Sequence, residues 1–471
     1  MNKRIFSVFI LTIILNFQPN TSAAQSTLLT LKDAIKTGLA NFGTLKAKSN
    51  YIGAAKANVE AARREYLPDL TLSLQQNYGT INGQSGPLFG YRGLAVASAG
   101  PSLQNQNWKS AFGALYLANI QWDFFSFGRM KERVNVASAE LALDRHDLEQ
   151  EIFQHKVRIA AAYLNLLAAK RLSGSQENNL LRAAGLQFVV QALAKNGLIA
   201  GVDSSLANAE VSAGRITLTR AKDFEQEQAA ELSRLMGITD QNFALDTFFV
   251  NRMPSSLADS IIPGGSRVAN HPLLQFFQSR VNLSDQRATY LHKFIYPTFS
   301  FFSILQTRGS GFDYNYGFQF PDAYTTKYFP GIQPHRGNYL TGIGVIWNLT
   351  SSLRIQQQVA AQKFTSKALM NESEVIEGQL QNQVLLANVR LKNALQNYRE
   401  VPIQLKAAAD AYLQKSVLYK NGLSNIVEVT QALYAINRAE TDRDIVYTNL
   451  WQALLLKAAA IGDLELFINQ L

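Results

Sequence analysis

One stretch of the sequence, Arg129–Lys195, decides the fold. It reads RMKERVNVASAELALDRHDLEQEIFQHKVRIAAAYLNLLAAKRLSGSQENNLLRAAGLQFVVQALAK. It contains no proline, its only glycines are Gly174 and Gly185, and it is rich in the strong helix formers Ala, Leu, Glu, Gln, Arg and Lys. Apolar residues recur at heptad spacing, as in Ile159 and Leu166, which is typical of a coiled-coil seam. An unbroken helix here would be ~100 Å long at about 1.5 Å per residue, which predicts an elongated structure.

This helix is predicted to end in a tight turn. The letters KNGL close the run, with Asn196 and Gly197 where a left-handed C-cap is expected. A second helix is predicted from near Asp203 to Met236, just before a glycine. The two segments together predict a long helical hairpin with its turn at residues 196–198.

The same text occurs twice in the chain. The motif KNGL occurs again 225 residues later, with Asn421 and Gly422 at its centre. Residues 421–423 are therefore predicted to form a second turn. The same shift carries Trp122 onto Trp347, and it holds along the whole hairpin. A chance repeat would not keep register over such a length, so the sequence predicts two tandem copies of one unit. The predicted organisation is a signal peptide (1–24), a first repeat (25–237), an irregular connector (238–269) that wraps the helical body, and a second repeat (270–466).

The N-terminus has the pattern of a secretory signal. Lys3 and Arg4 precede a mostly apolar core, and small residues near Ala24 offer a cleavage site. The apolar core is shorter than the ~20 residues that a membrane helix needs, although an uncleaved anchor is the alternative. No other stretch reaches that length, so any membrane crossing is expected to be made by strands.

Composition excludes several kinds of site. The chain has no cysteine, which excludes disulfides, thiolate metal sites and an acylated N-terminal cysteine, so the protein is not expected to be lipidated. The net charge of +10 is spread along the chain with acids interleaved, which does not favour nucleic-acid binding. There is no phosphate loop, nucleophile elbow or HExxH motif, and the five histidines are not spaced as metal ligands. We therefore expect no enzyme activity, no cofactor and no metal.

Each repeat begins with a helix and then carries a strand pair. The first helical stretch covers residues 29–67 and ends before Pro68, where Leu70, Leu72 and Leu74 begin to alternate with polar residues. The strand pairs are predicted at about 68–125 and 297–349. In the second pair the apolar face of the last strand reads Ile343, Val345, Trp347 and Leu349.

Loops at about 79–112 and 308–338 join the strands of each pair, and the second loop is crowded with aromatic residues. Strands of this length with one apolar and one polar face suit a membrane barrel with a wet lumen, the alternative being a soluble sheet with one buried face. Four strands cannot close a pore, so several chains are expected to share one barrel.

In this order of features the chain resembles the TolC-like outer-membrane efflux proteins. The resemblance rests on Leu29-Thr30-Leu31-Lys32-Asp33-Ala34-Ile35, Leu67-Pro68, Tyr296-Pro297, Trp122 followed by Gly128, the Gly-Leu turns, and the closing Leu235-Met236-Gly237. It implies a mostly α fold with membrane β structure: tandem long helical hairpins form a periplasmic coiled-coil α-barrel, and each chain gives four strands to a shared trimeric outer-membrane β-barrel. The implied function is a passive exit duct for tripartite efflux or type I secretion.

The resemblance also implies partners and a location. The partners are two further copies of the chain, a periplasmic adaptor (membrane fusion) protein, an inner-membrane pump and outer-membrane lipid. The location is the bacterial outer membrane, with the helices extending into the periplasm. Two alternatives stay open, namely a surface receptor or adhesion protein that uses the aromatic loop, and a soluble periplasmic coiled-coil adaptor.

In the family the two turns form a periplasmic tip that is gated. The acid six residues after each turn glycine falls on Asp203 and Glu428. Gln431 stands where some members carry a second luminal acid, and Tyr419 matches a tyrosine that contacts the acid of the other hairpin. Ser424 stands where some members have a gate arginine, so a salt bridge expected from the family is missing.

These residue types have a physical use and an ordinary alternative. Three Glu428 carboxylates around a trimer axis would favour cations at a constriction. A hydrogen bond from Tyr419 to Asp203 would contribute roughly 1.5–3 kcal/mol if it is shielded from water. Alternatively, the two acids only stabilise the helix N-termini on which they lie, and Tyr419 only packs between helices.

Overall fold

The computed structural model describes residues 28–83, 102–246, 248–251, 253 and 268–470. The predicted signal peptide lies outside these residues, as does part of the predicted connector. The described elements, in chain order, are α1 (Leu31–Asn41), α2 (Gly43–Arg64), β1 (Asp69–Gly79), β2 (Ala111–Phe125), α3 (Arg129–Lys195), α4 (Gly201–Met236), α5 (Phe248–Asn251), α6 (Pro272–His292), β3 (Thr298–Ser310), α7 (Tyr328–Ile332), β4 (Arg336–Ile346), α8 (Ser351–Lys420), α9 (Ile426–Ile461) and α10 (Glu465–Ile468), with short 3-10 turns at Val268–Asn270 and Lys293–Ile295.

The long helix predicted at Arg129–Lys195 is confirmed as α3, with 67 residues. Its counterpart α8 has 70 residues and contains Pro402. Proline has no N–H, so the backbone hydrogen bond to the carbonyl of Tyr398 is missing there. The ring of Tyr398 stacks on Tyr447 of α9 with centroids 4.6 Å apart. The corresponding residue of α3 is Glu177, so only one of the two long helices carries this break in its hydrogen bonding.

The helical stretch predicted at residues 29–67 is helical in the structure, but it is divided into α1 and α2 at Phe42. Phe42 ends α1 in an extended conformation, with φ −66° and ψ 115°, and its N–H donates to Gly38 O at 3.0 Å. Its ring stacks on the buried imidazole of His155 in α3, with ring centroids 3.8 Å apart. Packing against a residue more than a hundred positions away thus sets the break, which helix propensity does not record.

The four strands form one antiparallel sheet in the order β1-β2-β3-β4. On one face Leu70, Leu72 and Leu74 of β1 stay exposed, while the residues between them on the other face are polar. The predicted last strand is too long, since β4 ends at Ile346 and excludes Trp347 and Leu349.

Two tryptophans at equivalent places in the repeats fix the helix-to-strand connections. The indole N–H of Trp122 donates to Tyr66 O at 2.8 Å, and that of Trp347 donates to Ile295 O at 3.0 Å. Both acceptors lie two residues before a proline that immediately precedes a strand. The same contact therefore holds each strand pair to the chain that precedes it.

The aromatic loop of the second strand pair is an ordered structure. Phe312 and Tyr324 form an antiparallel bridge, and α7 packs on β2 and β3. Tyr116 of β2 donates through its Oη to Ile332 O at 3.0 Å. Gly309 permits this approach, because a Cβ at this position would lie 2.6 Å from the carbonyl of Ile332.

The chain divides into two compact units, one comprising Met1–Asn50, His146–Phe277 and Glu372–Leu471, and the other comprising Tyr51–Arg145 and Gln278–Asn371. Each unit takes segments from both predicted repeats. The first unit has the largest core, built from α1, α3, α4, α5, α8, α9 and α10; its fully buried large side chains include Trp451, Tyr163, Phe467, Ile159, Leu164, Leu232 and Leu454. The second unit contains the sheet. None of the described helices combines enough length with enough apolar character to cross a membrane.

Candidate functional site

The first helical turn has the geometry that its sequence predicts. Gly197 adopts a left-handed φ of 73°, which a residue with a Cβ adopts only with strain. Its N–H donates to Ala194 O at 3.0 Å, and the N–H of Leu198 donates to Leu193 O at 3.0 Å. This pair of bonds is a Schellman cap, and it satisfies carbonyls at the end of α3.

The second turn repeats this geometry. Gly422 has the same φ of 73°, its N–H donates to Tyr419 O at 3.0 Å, and Leu423 N donates to Leu418 O at 2.9 Å. The side chain of Asn421 adds a further bond, from Nδ2 to Val417 O at 2.9 Å. Two distant copies of KNGL therefore give one local structure.

The helices that leave the two turns are capped differently. Asn425 caps α9, since its Oδ1 accepts from Glu428 N at 2.9 Å. Ala200 is the equivalent residue before α4 and offers no side-chain cap. Asp203 lies in the first turn of α4, where its negative charge interacts favourably with the helix dipole. Both acids thus lie where they stabilise the N-terminus of a helix. The N-terminus of α9 also has a side-chain cap, which that of α4 lacks.

Glu428 has a cation partner that the sequence did not reveal. Its Oε2 lies 2.5 Å from Lys415 Nζ and accepts from Ser424 Oγ at 2.8 Å. These contacts, the Lys415 hydrogen bond first, lower the pKa of the Glu428 carboxyl. The family comparison suggested that Ser424 removes a salt bridge; here Lys415 supplies a different one within the same hairpin.

Tyr419 does not form the predicted hydrogen bond to Asp203. Its side chain is 5% exposed, and its Oη has no hydrogen-bond partner among the described residues. It packs instead with Val190 and Val429 in a small apolar cluster beneath the turns. Burial, and secondarily the charge of Asp203, raises the pKa of the Tyr419 phenol.

A tyrosine–carboxylate bond does join the two hairpins, but between other residues. Tyr434 of α9 donates through its Oη to Glu210 Oε1 of α4 at 2.6 Å. This hydrogen bond is the main cause that raises the pKa of the Tyr434 phenol to about 12. Gln431, one turn earlier on α9, is exposed. The sequence analysis did not find this bond, because neither residue lies at a position that the resemblance singles out.

A second polar link between the hairpins lies farther from the turns. Arg182 of α3 makes a two-pronged ion pair with Glu440 of α9, with N···O distances of 3.0 and 2.6 Å. The two side chains are 20% and 16% exposed. Charge-assisted, bidentate bonds of this kind are among the stronger polar contacts in proteins.

The turns also present apolar side chains to solvent. Leu198 and Val202 at the first turn are 69% and 70% exposed, and Leu423 and Val427 at the second are 74% and 52% exposed. These four residues occupy equivalent positions in the two repeats. Clustered exposed apolar residues are typical of a surface that contacts another protein.

Among the described residues, no group of three His, Cys, Asp or Glu side chains is arranged to hold a metal ion. The site therefore consists of two capped turns, an ion pair at one acid, and polar links between the hairpins.

Comparison with known proteins identifies the fold and a family match over part of the chain. Residues 34–238 match the profile of the family described as outer membrane efflux protein. No curated protein matches the chain. Among solved structures, the outer-membrane channel OprN is 15% identical with a TM-score of 0.72, covering 92% of this chain and 89% of that one. The outer membrane protein VceC from Vibrio cholerae is 15% identical with a TM-score of 0.70, over 92% and 96%. The open state of the MtrE outer membrane channel from Neisseria gonorrhoeae is 13% identical with a TM-score of 0.68, over 92% and 89%.

The structural matches establish the fold, and the profile match covers the first of the two repeats. OprN and MtrE are outer-membrane channels, and VceC is an outer membrane protein. The chain therefore has the fold of solved outer-membrane channels, and its residues 34–238 match the outer membrane efflux protein family.

Proposed function

We propose that three copies of this chain form a passive exit duct across the periplasm and the outer membrane, as the channel component of a tripartite efflux or type I secretion system. The observation that carries the proposal is the open four-stranded sheet. In the part of the chain that the structure describes, β1 and β4 each have one neighbouring strand, and β1 exposes a row of leucines on one face. Unpaired edge strands with an apolar face need partners, and four strands are too few to close a barrel.

The proposed location follows from the same sheet. With three chains, twelve strands give a barrel whose leucine-bearing face contacts outer-membrane lipid and whose polar face lines the lumen. The repeated hairpins then form the periplasmic α-barrel. In this proposal a signal peptide at residues 1–24 directs export and is cleaved.

The turns are the proposed contact for a periplasmic adaptor protein. Their exposed leucines and valines occur at matching positions in both repeats, so a trimer would present the set six times around a ring. An adaptor that packs on these side chains would connect the duct to an inner-membrane pump, which supplies the energy. The duct itself carries no catalytic centre in this scheme.

The same turns are the proposed gate. The MtrE channel has been observed in an open state, which supports a tip that changes conformation. In the closed tip, three copies of Glu428 would face one axis, with part of their charge compensated by Lys415. Asp203, Tyr419, Ser424 and Gln431 lie on the same hairpin ends.

Ion selectivity tests the gate separately from the duct. In planar bilayers under a salt gradient, Glu428→Lys should reduce the preference for cations, because it reverses three charges at the constriction. Lys415→Gln is the matched variant with the opposite expected effect. It should increase the preference for cations, because it removes the positive charge that partly compensates Glu428. Unchanged reversal potentials for both variants would refute the Glu428 ring.

The duct itself is tested by the native mass of the protein extracted in detergent from an outer-membrane fraction. A stable assembly near three chain masses is expected. A soluble monomer recovered from the periplasm would refute the duct and favour a helical adaptor. If deleting residues 311–335 abolished attachment to a surface and left export intact, the receptor role of the aromatic loop would be supported instead.

A further inference from the structure

Two arginines face each other at the end of the sheet that carries the β3–β4 loop. Arg308 of β3 and Arg336 of β4 are direct register partners in the antiparallel ladder. Residues opposite each other in such a pair have their Cβ atoms about 5 Å apart on the same face. Two like charges in this position destabilise the pairing. A compensating negative charge would relieve this repulsion.

The described chain does not supply that charge. Neither guanidinium forms an ion pair with any carboxylate of the described residues. Asp322, an acid of the β3–β4 loop, is paired with Lys109. The sequence of residues 84–101, in the loop between β1 and β2, contains no Asp or Glu.

Two amides complete a polar patch on the same face. Gln306 and Asn338 are register partners and lie two residues inward from the arginines, so their side chains share the face. With its amide oriented to satisfy both groups, the Gln306 oxygen accepts from Arg308 Nε at 2.7 Å and from its Nη2 at 3.1 Å. This bond holds the guanidinium of Arg308 against Gln306, while its register partner Arg336 is exposed.

The register also shows which face carries the pair. Arg308 is opposite Leu115 of β2, and Leu115 is opposite Gln75 of β1. Gln75 belongs to the polar face of β1, away from the exposed leucines. The arginines therefore lie on the face that lines the lumen, a placement that rests on the proposed function.

We propose that Arg308 and Arg336 form a binding site for an oxyanion, a phosphate or carboxylate group, at the loop end of the sheet. Guanidinium groups bind such anions through two parallel hydrogen bonds, which a single point charge does not offer. One anion between the two forks removes the repulsion of the bare pair. In a trimer three such sites surround the outer mouth of the duct, where they would hold anionic groups of passing solutes.

Channel block by inorganic pyrophosphate tests the site. The full-length wild type, in planar bilayers, should show a conductance that falls as pyrophosphate is added to the side of the loops. In R308Q/R336Q the concentration for half-block should rise by about tenfold or more, because charge-assisted hydrogen bonds are lost. K327Q, an exposed cation of the same loop outside the pair, is the control and should block like the wild type.

A charge-conserving variant separates a bidentate site from a general positive field. R308K/R336K keeps both charges but lacks the forked donors, so its half-block concentration should also rise. Native mass spectrometry after incubation with phosphatidylglycerol vesicles tests the other source of phosphate. A phospholipid retained by the wild type and lost by R308Q/R336Q assigns the oxyanion to a lipid headgroup.

Equal block and equal lipid retention in the wild type and R308Q/R336Q would overturn the proposal. A preparation that forms no channel at all would instead count against the proposed function, and the lipid measurement would still test the arginine pair.

Discussion

Replacing Tyr434 by Phe should weaken the link between α4 and α9 by about 1 kcal/mol. The bond to Glu210 raises the pKa of the phenol from 10.0 to about 12, and a shift of that size corresponds to roughly 2.7 kcal/mol between the two protonation states. Tyr434 is 55% exposed, so solvent screening reduces this value toward that of an ordinary hydrogen bond to a charged group. The loss of the bond should speed local opening of the hairpins near the turns.

The raised pKa also fixes the pH window of the effect. Stabilisation by the protonated phenol is complete below the ordinary pKa of about 10 and is lost as the pH rises through about 12. The difference in unfolding free energy between wild type and Tyr434→Phe should therefore be constant up to about pH 10 and then shrink. Comparing the two proteins cancels the contribution of the other tyrosines.

Denaturant unfolding in detergent, followed by circular dichroism, measures this difference in a double-mutant cycle with Glu210→Gln. The coupling energy between the two positions should be about 1 kcal/mol at pH 8, with the double variant no less stable than the weaker single variant. A coupling energy near zero, or a difference that does not change above pH 10, would refute the reasoning from this hydrogen bond.

Three further predictions concern stability in the first compact unit. The ion pair of Arg182 with Glu440 should show a coupling energy of about 1.5–3 kcal/mol in a cycle of alanine variants, because both side chains are largely shielded from water; additive single effects would contradict it. Gly197→Ala should lower the local stability of the turn by about 1 kcal/mol, because Gly197 has a left-handed φ, and faster hydrogen exchange at the turn measures this loss. Gly174→Ala in the interior of α3 is the control and should not lower stability. Trp451→Ala should lower stability by about 3–5 kcal/mol, read as a lower denaturant midpoint, since the ring is fully buried.

The sequence predicts the parts of this fold that depend on local order. The ends of α3 coincide with the predicted run because helix formers fill it and Gly197 ends it. The strands are found from alternation in Leu70, Leu72 and Leu74, since period two follows directly from strand geometry. The repetition of KNGL predicts the equality of the two turns, which the structure gives as equal φ values.

The contacts at the candidate site are predicted less well, because they depend on how separate helices are aligned. Tyr434 and Glu210 are distant in sequence and meet only when α4 and α9 pack in one register. Lys415 contacts Glu428 across a turn that the sequence does locate. Aligning the two helices of this hairpin from Gly422 would therefore have predicted the pair. The break at Phe42 likewise requires His155, which belongs to another helix.

The proline within α8 has a mechanical consequence. A helix that lacks one hydrogen bond bends at that level for less energy than an uninterrupted one, and α3 has Glu177 where α8 has Pro402. In the proposed trimer, three more flexible α8 helices would therefore alternate with three stiffer α3 helices around the wall of the tube. When the diameter of the tube changes, the α8 helices would bend near Pro402 and the α3 helices would stay straight. One repeat would thus supply the rigid helices and the other the helices that bend.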